Sequence, residues 1–161
     1  MHIDIADELI RRFEIDQTMR KKSVDNEAQF DTRIDIENTE FMKTVIENIG
    51  WPSISKVGER ASYCGWLLVQ HADKSPDFQK KCLKLMKSLP DGDIDISNIA
   101  YLEDRVLVAD KKPQIYGTQF YKDGDVWKPN KIEDIANLDS RRQAMGLMPF
   151  KEYEKIINSR L

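Results

Sequence analysis

The stretch ASYCGWLLV, residues 61–69, decides the fold class of this protein. It is apolar nearly all round, and a helix of that kind is normally buried on most of its sides. Ala61 and Gly65 would let neighbouring elements approach its backbone closely. We therefore predict a buried central helix that runs from about Ser55 to Asp73.

Apolar residues with helical spacing lie on both sides of this segment. The predicted flanking helices cover residues 3–22, a segment from Asn38 or Thr39 to Ile49, and segments that begin at Pro76, Ser97 and Pro149. Residues 23–37 show little periodicity, which predicts an irregular, exposed connection. The sequence therefore predicts a mainly α-helical fold, a single-domain bundle of about six helices over residues 1–161.

One short β-hairpin is expected within this helical fold. Residues 114–121 and 125–129 are rich in aromatic and β-branched side chains, and they flank Lys122-Asp123-Gly124. An Asp-Gly pair between two such runs is typical of a hairpin turn. We expect residues 114–121 to form the first strand.

The composition excludes several classes of protein. The chain has 161 residues with 25 basic and 28 acidic side chains, a net charge of −3 that argues against a nucleic-acid partner. The sequence contains no run of 18 apolar residues, so no membrane span is predicted. The N-terminal residues do not resemble a signal peptide. Cys64 and Cys82 are spaced as packing residues and are expected to be free thiols. We expect a cytoplasmic protein without a membrane partner.

The first candidate site is the string Gln70-His71-Ala72-Asp73 at the end of the predicted central helix. Histidine is the side chain best suited to move protons near neutral pH. We expect His71 to act as a general acid or base that Asp73 or Asp104 orients, with Gln70 beside it in the ligand site. The alternative is a core histidine that donates to a backbone carbonyl.

The second candidate site is Glu103-Asp104-Arg105, three charges inside an apolar helix. Buried charges require partners, because an unpaired one costs several kcal/mol. One interpretation is an internal ion-pair network. The other is that Asp104 and Arg105 face a pocket, as a catalytic acid and a ligand-binding cation.

Further polar strings follow near the hairpin and in the first helix. The string from Gln114 to Phe120 contains Gly117, and a glycine within a strand often marks the close approach of a ligand. It offers Tyr116 and Gln119 for ligand binding, although an ordinary hairpin with a bulge is the alternative. Arg142, in Asp139-Ser140-Arg141-Arg142, would suit an anionic partner or form a solvated pair. Asp16 and Arg20, four residues apart, predict an internal salt bridge.

Motifs for cofactors and metals are absent from the sequence. There is no nucleophile elbow, zinc-protease motif or dinucleotide fingerprint. One histidine besides His2 cannot build a multi-histidine zinc site. We therefore expect no cofactor and no metal.

These strings together resemble an uncharacterised bacterial domain family of unknown function. The resemblance rests on QHAD at residues 70–73, LEDR at 102–105 and YGTQ at 116–119, with shorter matches along nearly the whole chain. It implies a bacterial origin and one domain. It implies no reaction, because the family has no established activity.

The functional expectation is a polar pocket with two interpretations. In the first, the protein is a hydrolase or group transferase that uses His71 on a small anionic or polar substrate. In the second, the same pocket serves a non-catalytic module that binds a ligand or a protein partner, such as an immunity or accessory protein. Convergence of His71, Asp104, Arg105 and Gln119 on one cavity would favour a site.

Overall fold

The computed structural model describes residues 1–25 and 29–159, and this part of the chain is mainly helical with one two-stranded hairpin. The chain divides into two compact units, Met1–Asp95 and Ile96–Leu161. The predicted helical class and the predicted hairpin are therefore confirmed. A single bundle around one central helix stays a prediction.

The secondary-structure elements of unit 1 are all helices in its described residues. Its helices are α1 (Ile3–Val24), α2 (Thr32–Ile49), α3 (Ile54–Val57), α4 (Glu59–Gln70) and α5 (Pro76–Lys87). Helix α4 contains the stretch 61–69 and contacts the other four helices of the unit. A Cβ atom on Gly65 would lie 3.1 Å from Cγ of Pro52 and 3.4 Å from Cδ2 of Leu9, so the expected close approach at this glycine is present.

Helix α2 begins earlier than the sequence pattern predicted. The Asp31 carboxylate accepts a hydrogen bond from the backbone N–H of Arg33 at 3.0 Å and caps the helix. Asn38 and Thr39 are therefore buried inside α2 rather than at its start. The prediction of an irregular connection over residues 23–37 is wrong for residues 23–24, which end α1, and for residues 32–37, and its residues 26–28 lie outside the described residues.

The predicted helix from Ser55 to Asp73 is interrupted and ends early. Gly58 has a φ of +85°, in the region that favours glycine, and it separates α3 from α4. Helix α4 ends at Gln70, and His71 is the first residue beyond it. The break explains why unit 1 has one more helix than the pattern indicated.

Unit 2 combines helices with the hairpin. Its elements are α6 (Ile96–Ala109), β1 (Phe120–Asp123), β2 (Val126–Pro129), a 3-10 helix (Ile135–Asn137), α7 (Leu138–Ala144) and α8 (Phe150–Asn158). The strands are antiparallel, and the pairing of Asp123 with Val126 places Gly124 in a two-residue turn. The predicted first strand, residues 114–121, is wrong for residues 114–119, which form a loop.

Two further expectations concern the thiols and the membrane. Cys64 in α4 and Cys82 in α5 are free and buried, as predicted. Burial raises the pKa of the Cys64 thiol to about 11 and that of Cys82 to about 12. Among the described residues, no helix combines the length and apolar character needed to cross a membrane.

Candidate functional site

His71 lies at the C-terminal end of α4, where its backbone N–H still donates to the carbonyl of Leu67. Its Nδ1 atom lies 3.1 Å from each carboxylate oxygen of Asp16, which is fully buried in α1. Within unit 1, the carboxylate that orients the ring is thus Asp16 and not Asp73. Asp73 accepts a hydrogen bond from Nε2 of Gln79 at 3.3 Å.

The Asp16 carboxylate has three side-chain partners. In addition to His71, it accepts hydrogen bonds from Nε of Arg20 at 3.1 Å and from Nε2 of Gln17 at 2.8 Å. Burial acts to raise the pKa of Asp16, but the hydrogen bond and charge of His71, the charge of Arg20 and the Gln17 amide outweigh it. The pKa of Asp16 is therefore lowered, which keeps the carboxylate ionised beside the imidazole.

Arg20 links this pair to a second carboxylate. Its Nη2 atom donates to Oδ1 of Asp35 at 2.6 Å, and its guanidinium lies 5.2 Å from the centre of the Phe30 ring. Burial raises the pKa of the Asp35 carboxyl, against the opposing charge of Arg20. Arg20 thus links α1 to α2 next to His71, the residue that follows the end of α4.

A cavity of about 220 Å³ opens beside this cluster. Phe30, Ile36 and Ala72 give it apolar walls, and its polar lining comes from Arg20, Thr32, Asp35, Thr39, Glu40, His71, Asp73, Lys74 and Ser75. Nδ1 of His71 is engaged with Asp16, and Nε2 has no hydrogen-bond partner in residues 1–25 or 29–159. Nε2 is therefore the ring nitrogen available to a molecule in the cavity.

The same residues form a set that could hold a metal ion. One ligand atom each from Asp16, Asp35 and His71 lie within 4.8 Å of one another. Arg20, however, donates to both carboxylates and already supplies the positive charge that a metal would bring. A metal ion would have to displace this guanidinium.

Asp104, the second predicted catalytic residue, organises a loop in unit 2. Its fully buried carboxylate accepts hydrogen bonds from the backbone N–H groups of Ile115, Tyr116 and Thr118, at 2.7, 3.0 and 2.9 Å, and from the Thr118 hydroxyl. Burial raises the pKa of Asp104, although these donors act in the opposite direction. Successive N–H groups on a strand point to alternate sides, so their convergence on one carboxylate explains why this segment is a loop.

Two arginines hold the same loop by its carbonyl groups. Nε of Arg141 donates to the carbonyl of Ile115 at 3.0 Å, and Nη1 of Arg142 donates to that of Tyr116 at 2.6 Å. Arg142 is 1% exposed and also donates to the carbonyl of Met148. We call this arrangement of Asp104, Arg141 and Arg142 around residues 115–118 the loop clamp.

Three of the remaining predicted ligand residues lie on or next to the loop clamp, and these are Arg105, Tyr116 and Gln119. Gln70 does not lie there. Nη1 of Arg105 donates to Oε1 of Gln119 at 3.1 Å, and Tyr116 is half-buried with a hydrogen bond to Glu103. Gln70 is buried in α4 of unit 1. Gln70, His71 and Asp73 thus belong to unit 1 and the other predicted site residues to unit 2, and a common pocket stays a prediction.

Sequence reasoning missed Asp16 and Asp35 as partners of His71. The signal for Asp16 was present, because it continues the apolar stripe of α1 that contains Leu9, and it is itself fully buried. A fully buried carboxylate on a core stripe indicates partners in addition to the half-buried Arg20. Asp35 gave no such signal, since it fell in the segment predicted to be irregular.

Comparisons with known proteins give a family and no activity. No curated protein and no solved structure matches the chain. The profile of a protein family described as a family of unknown function (DUF6624) matches residues 3–160, which is nearly the whole chain. The predicted resemblance to a domain family of unknown function is thereby confirmed, and the chain belongs to the DUF6624 family.

Proposed function

We propose that this protein is a small enzyme, a hydrolase or group transferase, in which His71 acts as a general base with Asp16 as its orienting carboxylate. The observation that carries the proposal is the pairing of Nδ1 with Asp16 beside a cavity. A carboxylate on one ring nitrogen fixes the tautomer, so that the other nitrogen accepts a proton.

We also propose a location for the protein. The free thiols fit a reducing compartment, and we therefore place the protein in the cytoplasm.

The charges around His71 favour a base. Asp16 and Asp35 together carry two negative charges, and Arg20 supplies one positive charge. The cluster of Asp16, Arg20 and Asp35 therefore carries one net negative charge while the imidazole is neutral. A proton taken up by the ring completes the balance, so the imidazolium that forms during the reaction is stabilised where it arises.

The corresponding chemistry needs no nucleophilic side chain. Nε2 of His71 takes a proton from water or a substrate hydroxyl or amine as that group attacks an electrophilic carbon or phosphorus. The same proton then passes from Nε2 to the leaving group. Asp16 keeps the ring in place and remains ionised throughout.

Hydrolysis of an activated ester, p-nitrophenyl acetate, tests this proposal without knowledge of the natural substrate. We expect His71→Asn to lower the protein-dependent rate about 100-fold, the lower range for loss of a general base. His2→Asn is the matched control, because His2 is the other histidine of the chain. Equal rates for wild type and His71→Asn would contradict the proposal.

A second candidate function is a non-catalytic module that binds a ligand or a protein partner. The observation that favours it is the bridging of Asp16 and Asp35 by Arg20, an arrangement that is also typical of a structural ion-pair cluster. In that case His71→Asn would leave ester hydrolysis unchanged and would lower the free energy of unfolding instead.

A further inference from the structure

We propose that the cavity beside His71 selects a small primary amine, bound as its ammonium ion at Asp35, over an anion of the same size. The inference names the substrate class of the proposed enzyme and rests on that proposal only in taking the same cavity as the site. The sequence-based expectation was a small anionic or polar ligand, and this inference replaces the anion with a cation.

The first argument is the charge of the cavity. Acidic groups outnumber basic ones along its lining: Arg20 and Lys74 stand against Asp35, Glu40 and Asp73, and Asp16 lies directly behind His71. The Arg20 charge is shared between two carboxylates. In a partly enclosed site such an excess of negative charge attracts cations and repels anions.

The second argument is the hydrogen-bonding capacity of Asp35. Its Oδ1 atom accepts from Arg20, whereas Oδ2 has no partner among the described residues, and the side chain is 18% exposed. A carboxylate that lines a cavity and has an oxygen without a partner is a natural acceptor for an ammonium group. In the neutral form of the His71 ring, Nε2 is a second acceptor in the same cavity, and an amine has donors for both.

The third argument is the fixed position of Arg20. Asp16 accepts a hydrogen bond from its Nε, Asp35 accepts one from its Nη2, and its guanidinium carbon lies 5.2 Å from the centre of the Phe30 ring. Only Nη1 is without a partner in the described part of the chain. An anion at Nη1 would lie next to the two carboxylates that share the single charge of Arg20, and their remaining negative charge makes this contact unfavourable.

The volume and the walls of the cavity limit the size and the polarity of the ligand beyond its ammonium group. A volume of about 220 Å³ accommodates a molecule slightly larger than benzene, since dry cavities of about 150 Å³ bind benzene. Phe30, Ile36 and Ala72 supply apolar surface for its non-polar part. A short amine with an aliphatic or aromatic body fits both requirements.

Three probes of the same shape and different charge test the inference: benzylamine, benzyl alcohol and benzoate. Each is titrated at neutral pH into the full chain, while NMR follows the ring resonances of His71, with His2 as internal reference. We expect benzylamine to shift the His71 resonances at about tenfold lower concentration than benzoate does, with benzyl alcohol between them. Saturation by benzoate at equal or lower concentration would overturn the inference.

Substitutions locate the ammonium group. Asp35→Asn and Glu40→Gln each remove a charge from the cavity and should weaken benzylamine binding, the former more strongly. Glu37→Gln is the control, because Glu37 is an exposed residue of α2 outside the cavity lining. An equal affinity in wild type and both cavity variants would refute binding at Asp35.

The two proposals can fail separately. Amine selectivity without His71-dependent ester hydrolysis would refute the proposed function alone. His71-dependent ester hydrolysis without amine selectivity would refute this inference alone.

Discussion

The Nδ1 atom of His71, at the end of α4, lies 3.1 Å from both carboxylate oxygens of Asp16, in the second half of α1. The two residues are 55 positions apart in the sequence. The pairing therefore exists only once α1 and α4 have packed together. The packing that folds unit 1 therefore also forms the pair of residues proposed to act in its cavity.

Asp16→Asn should destabilise the protein by about 3 kcal/mol, the range for removing one partner of a buried charged pair. The variant leaves the His71 ring and Arg20 without their shared anion. Urea unfolding measures the effect. Glu14→Gln on the same helix is the control, since Glu14 pairs with Arg60 at an exposed site and its loss should cost less than about 1 kcal/mol. Equal costs for the two variants would argue against the buried pair.

The two carboxylates near His71 should give opposite dependences on pH. The pKa of Asp16 is lowered in the folded protein, so its stabilising contribution is full above the ordinary aspartate pKa and is lost as the pH falls through the lowered value. The pKa of Asp35 is raised, so its ionisation costs folding free energy at neutral pH, and protonation relieves that cost.

This difference is measurable by urea unfolding at a series of pH values from neutral to acid. The advantage of wild type over Asp16→Asn should shrink as the pH falls. Relative to Asp35→Asn, wild type should instead gain stability over the same range. Parallel pH profiles for the two variants would contradict the assigned directions of the pKa shifts.

Asp104→Asn should release the loop clamp and cost about 4 kcal/mol. The asparagine amide would turn an NH₂ group toward backbone N–H donors that now share two carboxylate oxygens, which leaves buried donors unpaired. Hydrogen exchange of the amides of residues 115–118 should become fast in the variant. Asp123→Asn, in an exposed pair with Lys128, is the control and should change stability by less than about 0.5 kcal/mol. Protected amides in Asp104→Asn would show that the clamp does not depend on the carboxylate.

Gly117→Ala should destabilise the protein by about 3 kcal/mol, because two costs add. Gly117 has a φ of +66°, and an added Cβ would lie 2.9 Å from Cε2 of Phe150. Gly124→Ala isolates the first cost, about 1 kcal/mol, since Gly124 has a φ of +63° and nothing within 4 Å of an added Cβ. Thermal unfolding should therefore rank the two variants clearly, and Phe150→Leu should partly rescue Gly117→Ala. Equal melting temperatures would exclude the contact with Phe150.

The sequence predicted most of the helices because their apolar stripes are strong, as in α5 with Phe78, Cys82 and Met86 buried on one side. It failed where polar residues are buried. Asn38 and Thr39 look like caps by residue type but are held inside α2, with Asn38 accepting a hydrogen bond from Arg12. Tertiary contacts of this kind cannot be read from local spacing.

The candidate site was predictable in part. The apolar helix face on which His71 falls identifies this residue, but the sequence points to Asp73 or Asp104 as its partner rather than to a residue of α1. The strings with Asp104 and Gln119 stand out as polar groups in apolar surroundings, and Arg142 stands out as a cation in the first turn of a helix. Within unit 2 all three hold one loop. The polarity of a string thus revealed burial, while only the structure gave the partner of each group.

The tautomer of His71 tests the central claim most directly. ¹⁵N NMR of the histidine side chains, recorded where the rings are neutral, distinguishes a protonated Nδ1 from a protonated Nε2. We expect His71 to carry its proton on Nδ1, facing Asp16, and to lose this preference in Asp16→Asn, while His2 is unaffected. A neutral His71 protonated on Nε2 in the wild-type protein would contradict the account, because the nitrogen assigned as the base would then already hold a proton.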